Sequence, residues 1–167
     1  MEDMTAVSPA PREPVGSRAQ LAAALLALIG RARHELRFAA ADLSILALDQ
    51  PPLVEALRRM LLARPRNTVR LLVDDMRWLD SGAPRLRALQ RTFPHALLLR
   101  CAGVQDPVGP EVVALGDDGD ALRLLPTAAL RGELRCGDPA FARPLRADFD
   151  RRWEHASHDQ PVKPLGL

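Results

Sequence analysis

The chain has no tyrosine, and aromatic residues make up only 4% of its 167 positions. A stacking platform of the kind that holds single-stranded bases would have to come from Trp78, Trp153 and four phenylalanines. Lysine is nearly absent as well. Lys163 is the single lysine among 23 basic residues, so chemistry that needs a lysine in the folded body has no candidate. The arginine skew fits codon usage in a GC-rich bacterial genome. Cysteine is limited to Cys101 and Cys136, without CxxC or zinc-ligand spacing. That reads as a reduced pair rather than a disulfide. The longest apolar run, Leu21 to Ile29, is too short to span a bilayer. The N-terminus lacks the basic-then-apolar pattern of a signal peptide. A soluble, cytoplasmic protein is expected.

What is present is enough for one globular core. Apolar residues are 47% of the chain, and the length is that of a single ordinary domain. The formal charge of +2 is too small to be a nucleic-acid signature by itself.

The most distinctive stretch is Thr68-Val-Arg-Leu-Leu-Val-Asp-Asp75, an apolar run that ends in two carboxylates. It reads as a strand buried on both faces, with helical patterns on either side, as in a parallel α/β sheet. Before it, residues 1–16 carry Pro9, Pro11 and Pro14 and are expected to form a disordered arm. Ser17 with Gln20 has capping-box spacing and opens a helix to about Arg33. Leu36 to Ala41 reads as a strand. Pro51-Pro52 opens a second helix that buries Leu53, Val54, Leu57, Met60 and Leu61. A third helix is expected from Asp80 or Ser81, burying Leu86 and Leu89, followed by a strand from Ala96 to Cys101.

Two short apolar runs, Glu111–Leu115 and Ala121–Leu125, are joined by Gly116-Asp-Asp-Gly-Asp120, a strong hairpin signal. Arg131–Cys136 reads as an edge strand. A last helix from Asp138 repeats Phe141, Leu145, Phe149 and Trp153 in register, with Pro144 expected to bend it. The folded domain is placed at residues 17–156, with a flexible tail over 157–167. The expected architecture is a three-layer α/β/α sandwich with a mixed sheet.

Polar groups at the carboxyl ends of parallel strands mark the usual ligand position in such sheets. Asp74 and Asp75 sit there. A receiver domain would need a phosphorylatable aspartate after the next strand, where this chain has Leu99-Arg100-Cys101. A haloacid dehalogenase would need aspartates two apart. Neither pattern fits, and the plainer role of the pair is to cap the strand end or the following turn.

The succession of an opening Leu/Ile/Ala helix, "LRFAAADLSI", "LVEALRRMLLA", "VRLLVDD" and "LRADFDRRWEHA" resembles one repeat of the phospholipase D-like superfamily, over roughly Ser17 to His155. In active members the first hairpin strand carries H-x-K-x4-D followed by glycine. The histidine attacks phosphorus and the lysine stabilises phosphate charge. Placing Asp118-Gly119 on that Asp-Gly puts Glu111 at the histidine and Val113 at the lysine. A one-residue slide gives Pro110 and Val112. The family's small-residue G-S-x-N segment is replaced by Leu124-Leu125-Pro126-Thr127. The resemblance therefore implies a degenerate, non-catalytic active site with no cofactor. Because the family builds its site between two repeats, it also implies a homodimer or a partner domain.

Three functions are weighed on this basis. The leading one is a non-catalytic interaction or ligand-binding module, its groove rimmed by Asp74, Asp75, Arg77, Trp78, Glu111 and Arg123. The second is a nucleic-acid (phosphodiester) binding module without cleavage, using the arginines at 123, 131, 135, 143, 146, 151 and 152. Interleaved Asp138, Asp148, Asp150 and Glu154 argue against it, and an Asp148–Arg152 pair points to a solvated helix face. The third is a metal-dependent enzyme using Asp74, Asp75 and Glu111. His155 and His158 lie three apart but lack a third ligand nearby, so no metal is assigned to them.

Overall fold

The computed structural model describes residues 10–125 and 127–158. Its centre is a seven-stranded mixed sheet in the order β1-β7-β6-β5-β2-β3-β4. Strands β2 (Glu35–Ala40), β3 (Thr68–Val73) and β4 (Leu97–Cys101) run parallel. Strands β5 (Val112–Leu115), β6 (Ala121–Leu125), β7 (Arg131–Arg135) and β1 (Arg12–Val15) continue the sheet antiparallel.

Alternation along the parallel strands divides the core in two. Leu36, Phe38, Val69, Leu71, Leu97 and Leu99 face helices α1 (Arg18–Arg31), α2 (Pro51–Ala63), α3 (Arg77–Gly82) and α4 (Pro84–Thr92). Ala39, Leu72, Leu115 and Ala121 face α5 (Pro139–His155), which brings Ala142, Phe149 and Trp153 down onto them. A sheet covered on both faces is why its strands read as nearly continuous apolar runs. The fold class is α/β, with three layers.

Local chemistry sets the element ends. The Ser17 hydroxyl accepts from Gln20 N at 3.1 Å, and the Gln20 side chain accepts from Gly16 N at 2.7 Å. The Asp138 carboxylate accepts from Phe141 N at 3.1 Å and starts α5. Pro144 falls inside α5, yet the helix runs on to His155.

Four details depart from the sequence reading. Arg12–Val15 is not a disordered arm but an edge strand, paired with β7 from Arg12↔Arg135 to Val15↔Gly132. Short exposed edge strands tolerate proline, and Pro14 sits in this one. Residues 1–9 lie outside the described residues. Consequently β7 is not an edge strand. The third helix is two helices: α3 starts at Arg77, earlier than expected, and Pro84 opens α4 because proline suits a first turn better than an interior. At the tail, Ser157 exchanges backbone hydrogen bonds with Cys101 at 2.8 and 3.0 Å. Residues 159–167 lie outside the described residues. Among the described residues no helix is long and apolar enough to cross a membrane.

Candidate functional site

A cleft of about 410 Å³ opens at the carboxyl ends of β2 and β3. Its floor is Ala39, Leu72 and Val113, small or apolar side chains on the α5 side of the sheet. One wall is the loop Pro107–Glu111, and the other is α5, through Leu145, Asp148, Phe149 and Arg152.

Asp74 builds the loop wall. Its carboxylate accepts from Val108 N at 2.8 Å and Gly109 N at 3.3 Å. Gly109 has φ +80°, a conformation that favours glycine and turns both amides toward one acceptor. Asp106 ties the same loop to α5, accepting from Arg151 and, at 3.3 Å, from Arg152 Nε. The Arg151 hydrogen bond, with help from Arg152, holds the Asp106 carboxyl below its ordinary range. Arg152 also pairs with Asp148 one turn back, as the i,i+4 spacing suggested. With Arg152 only 21% exposed and lining the cleft, this is not a purely solvated helix face.

Of the six residues expected to rim one groove, Glu111 alone lines this cleft. Asp75 accepts from Arg77 N at 2.9 Å and pairs with its guanidinium at 2.7 and 2.5 Å, forming the turn into α3. Trp78 packs half-buried against the core. A Cβ at Gly82 would stand 2.7 Å from its indole ring. These contacts make Asp75, Arg77 and Trp78 parts of the β3–α3 joint. Glu111 pairs with Arg123 at 2.5 Å. Arg123 in turn lines a second groove, of about 350 Å³, over β6, β7 and β1.

The three-carboxylate metal arrangement does not form. Asp74 is engaged by two amides, and among the described residues no three His, Cys, Asp or Glu side chains converge. His155 Nδ1 lies 2.8 Å from the Arg151 carbonyl oxygen. Both cysteines are free thiols, and burial raises the pKa of each.

Two sets of long-range contacts carried no sequence signal. The first is the hairpin tip. Asp117 accepts from Arg33 N at 2.5 Å, His34 N at 3.1 Å and Glu35 N at 3.0 Å, anchoring the α1–β2 connection. Asp120 accepts from Arg31 Nε and from Gly137 N, both at 2.8 Å. A turn rich in aspartate signals a hairpin but does not reveal which distant amides it will hold. The second is an arginine layer under α5. Arg37 and Arg70 are cross-strand neighbours, and Arg100 lies on β4. Arg37 lies 6.0 Å from the Phe149 ring centre, while Arg70 and Arg100 lie 5.7 and 4.6 Å from that of Trp153. Asp150 accepts from Arg37 Nε at 3.1 Å. Each such cation–ring contact contributes about 0.5–2 kcal/mol, more as water is excluded.

The profile of a family described as Domain of unknown function (DUF7931) matches residues 17–165. The chain belongs to this family. No curated protein matches it. Among solved structures it is similar to TrmBL2, an archaeal chromatin protein described as showing a novel mode of DNA binding. That match has a TM-score of 0.66 and 12% identity, and covers 89% of this chain and 55% of that one. The DUF7931 chain thus spans about half the length of TrmBL2. It is also similar to Nuc, a phospholipase D family member from Salmonella typhimurium, with a TM-score of 0.63 and 14% identity over 88% of this chain and 96% of that one. At these identities the likeness is one of fold. The DUF7931 chain has the phospholipase D-like fold.

Proposed function

We propose that this DUF7931 chain is a non-catalytic binding module on a phospholipase D-like frame, acting in the cytoplasm as a homodimer or docked on a partner domain. The observation that carries this is the pair of side chains at 111 and 113. Both line the cleft, where the resemblance puts the attacking histidine and the charge-stabilising lysine. Glu111 is a carboxylate already paired with Arg123, and Val113 is apolar. A carboxylate in that place cannot act as the attacking imidazole, the cleft lining contains no histidine, and its one cation, Arg152, is already paired with Asp106 and Asp148.

The test is hydrolysis of bis(p-nitrophenyl) phosphate, with and without divalent cations. No turnover above buffer is expected. Turnover that scales with protein and is lost in Glu111→Gln would overturn the reading. Sedimentation velocity tests the dimer against a chain mass of 18.3 kDa.

A second reading, nucleic-acid binding without cleavage, is favoured by the arginines gathered on the outer half of the sheet. The fold shared with a DNA-binding chromatin protein points the same way. It predicts binding that weakens steeply with salt.

A further inference from the structure

Strand register sets four arginines on one face of the sheet. Val113 of the cleft floor pairs with Arg123, Arg123 with Glu133, and Glu133 with Pro14. Since side chains alternate along a strand, Arg131 and Arg135 flank Glu133 on this same face, and Arg12 lies opposite Arg135. This is also the face α5 covers over β2, β3 and β5. Beyond Phe141, whose ring centre lies 4.1 Å from the Arg135 guanidinium, the helix no longer covers it. Arg12, Pro14, Leu125 and Arg131 are exposed there and line the groove of about 350 Å³.

The charges on this face are unevenly matched. Arg123 is paired with Glu111, and Arg135 with Glu133 at 3.0 Å and Asp138 at 3.3 Å. Arg12 and Arg131 have no ion-pair partner among the described residues. These two guanidinium groups, unpaired among the described residues, stand at opposite ends of a shallow groove whose exposed apolar surface is Pro14 and Leu125. Their register positions are four residues apart, about 13 Å along the strand. That distance is close to the width of the B-DNA major groove, about 12 Å. The groove lining contains no aromatic ring to serve as a stacking platform for unstacked bases.

We propose that this arginine face binds the phosphodiester backbone of duplex DNA, without base readout, through Arg12 and Arg131. The proposal rests on the nucleic-acid reading and gives it a location away from the degenerate cleft. Guanidinium forks suit phosphate oxygens, and phosphate contacts give affinity without sequence preference.

The experiment is an anisotropy titration of a fluorescein-labelled duplex over a range of salt concentrations. It compares wild type with Arg12→Gln/Arg131→Gln, Arg12→Lys/Arg131→Lys and Arg64→Gln/Arg66→Gln. The last pair is exposed in the turn before β3, at the amino ends of the parallel strands. Loss of two phosphate contacts should weaken low-salt binding by about tenfold and flatten the log–log salt slope by about 1.8. The lysine pair should keep most of that slope, which separates lost charge from misfolding. The Arg64/Arg66 variant should bind like wild type. No binding by wild type at low salt would overturn the nucleic-acid reading and this assignment together. Binding that survives in the Arg12/Arg131 glutamine pair but falls in the Arg64/Arg66 pair would overturn the assignment alone.

Discussion

Glu111 and Arg123 meet at 2.5 Å, and their ion pair joins two concave surfaces of the molecule. Glu111 lines the cleft under α5, and Arg123 lines the groove over β6, β7 and β1. Each side chain is a little under two-fifths exposed, so water screens the pair and its contribution to stability is about 0.2–1 kcal/mol. Glu111→Gln should therefore cost little in urea unfolding. It also releases Arg123 toward the arginine face, so duplex binding should tighten. A loss of several kcal/mol, or weaker binding, would contradict this placement.

Asp74 should matter more than its neighbour. It holds two loop amides, whereas Asp75 mainly serves the turn into α3. Asp74→Ala leaves those amides without their acceptor and should destabilise the protein by about 1–3 kcal/mol. It should also make the 104–110 loop a preferred site in limited proteolysis. Adding magnesium, manganese or calcium to wild type should leave the melting temperature unchanged. A rise that grows with cation concentration and disappears in Asp74→Asn would revive the metal-dependent enzyme.

Acid should loosen the hairpin tip. Burial pushes the Asp117 carboxyl up, but the amides of Arg33, Glu35 and His34 together outweigh it and hold the carboxyl below its ordinary range. A carboxyl with a depressed folded pKa contributes stability above its unfolded pKa and loses it as pH falls through the folded value. Stability measured by urea unfolding should fall as pH drops from about 5 through the unfolded carboxylate range and on through the lower folded value. Asp117→Asn should start lower and lose less over that window. Parallel curves for the two proteins would mean that the carboxylate does not serve as the anchor.

How far the sequence could be read depended on the range of each interaction. The Ser17 cap, the Pro51-Pro52 helix start, the buried stripe from Leu53 to Leu61 and the Gly116–Asp120 turn are local, and all appear where their spacing placed them. The strand at Arg12–Val15 was hidden because its pairing with β7 is remote and Pro14, with Pro9 and Pro11 before it, gives the segment the composition of a linker. Candidate site residues fared less well. Asp74 and Asp75 are adjacent, yet one carboxylate faces the 108–109 amides and the other faces Arg77. Side-chain direction at a strand end is decided by whichever loop arrives there. Arg37, Arg70 and Arg100 are charged positions inside largely apolar strands. They are covered by Phe149 and Trp153, contacts that cross more than 50 residues of sequence.

Two glycines give opposite expectations that test the sheet register directly. Gly132 of β7 passes so close to β6 that a Cβ would stand 2.4 Å from the Arg123 carbonyl oxygen and 2.5 Å from Leu124 Cδ2. The carbonyl belongs to the backbone of a hydrogen-bonded ladder and cannot rotate aside, so Gly132→Ala should cost about 2–3 kcal/mol. Gly30 lies in α1, where an added Cβ would meet nothing within 4 Å, and alanine is the better helix former. Gly30→Ala should therefore stabilise by about 0.5–1 kcal/mol. Urea unfolding of both variants measures the contrast. A silent Gly132→Ala would mean that β6 and β7 do not meet in this register. The arginine face, which depends on Arg123↔Glu133 and Leu125↔Arg131, would then lose its geometric basis.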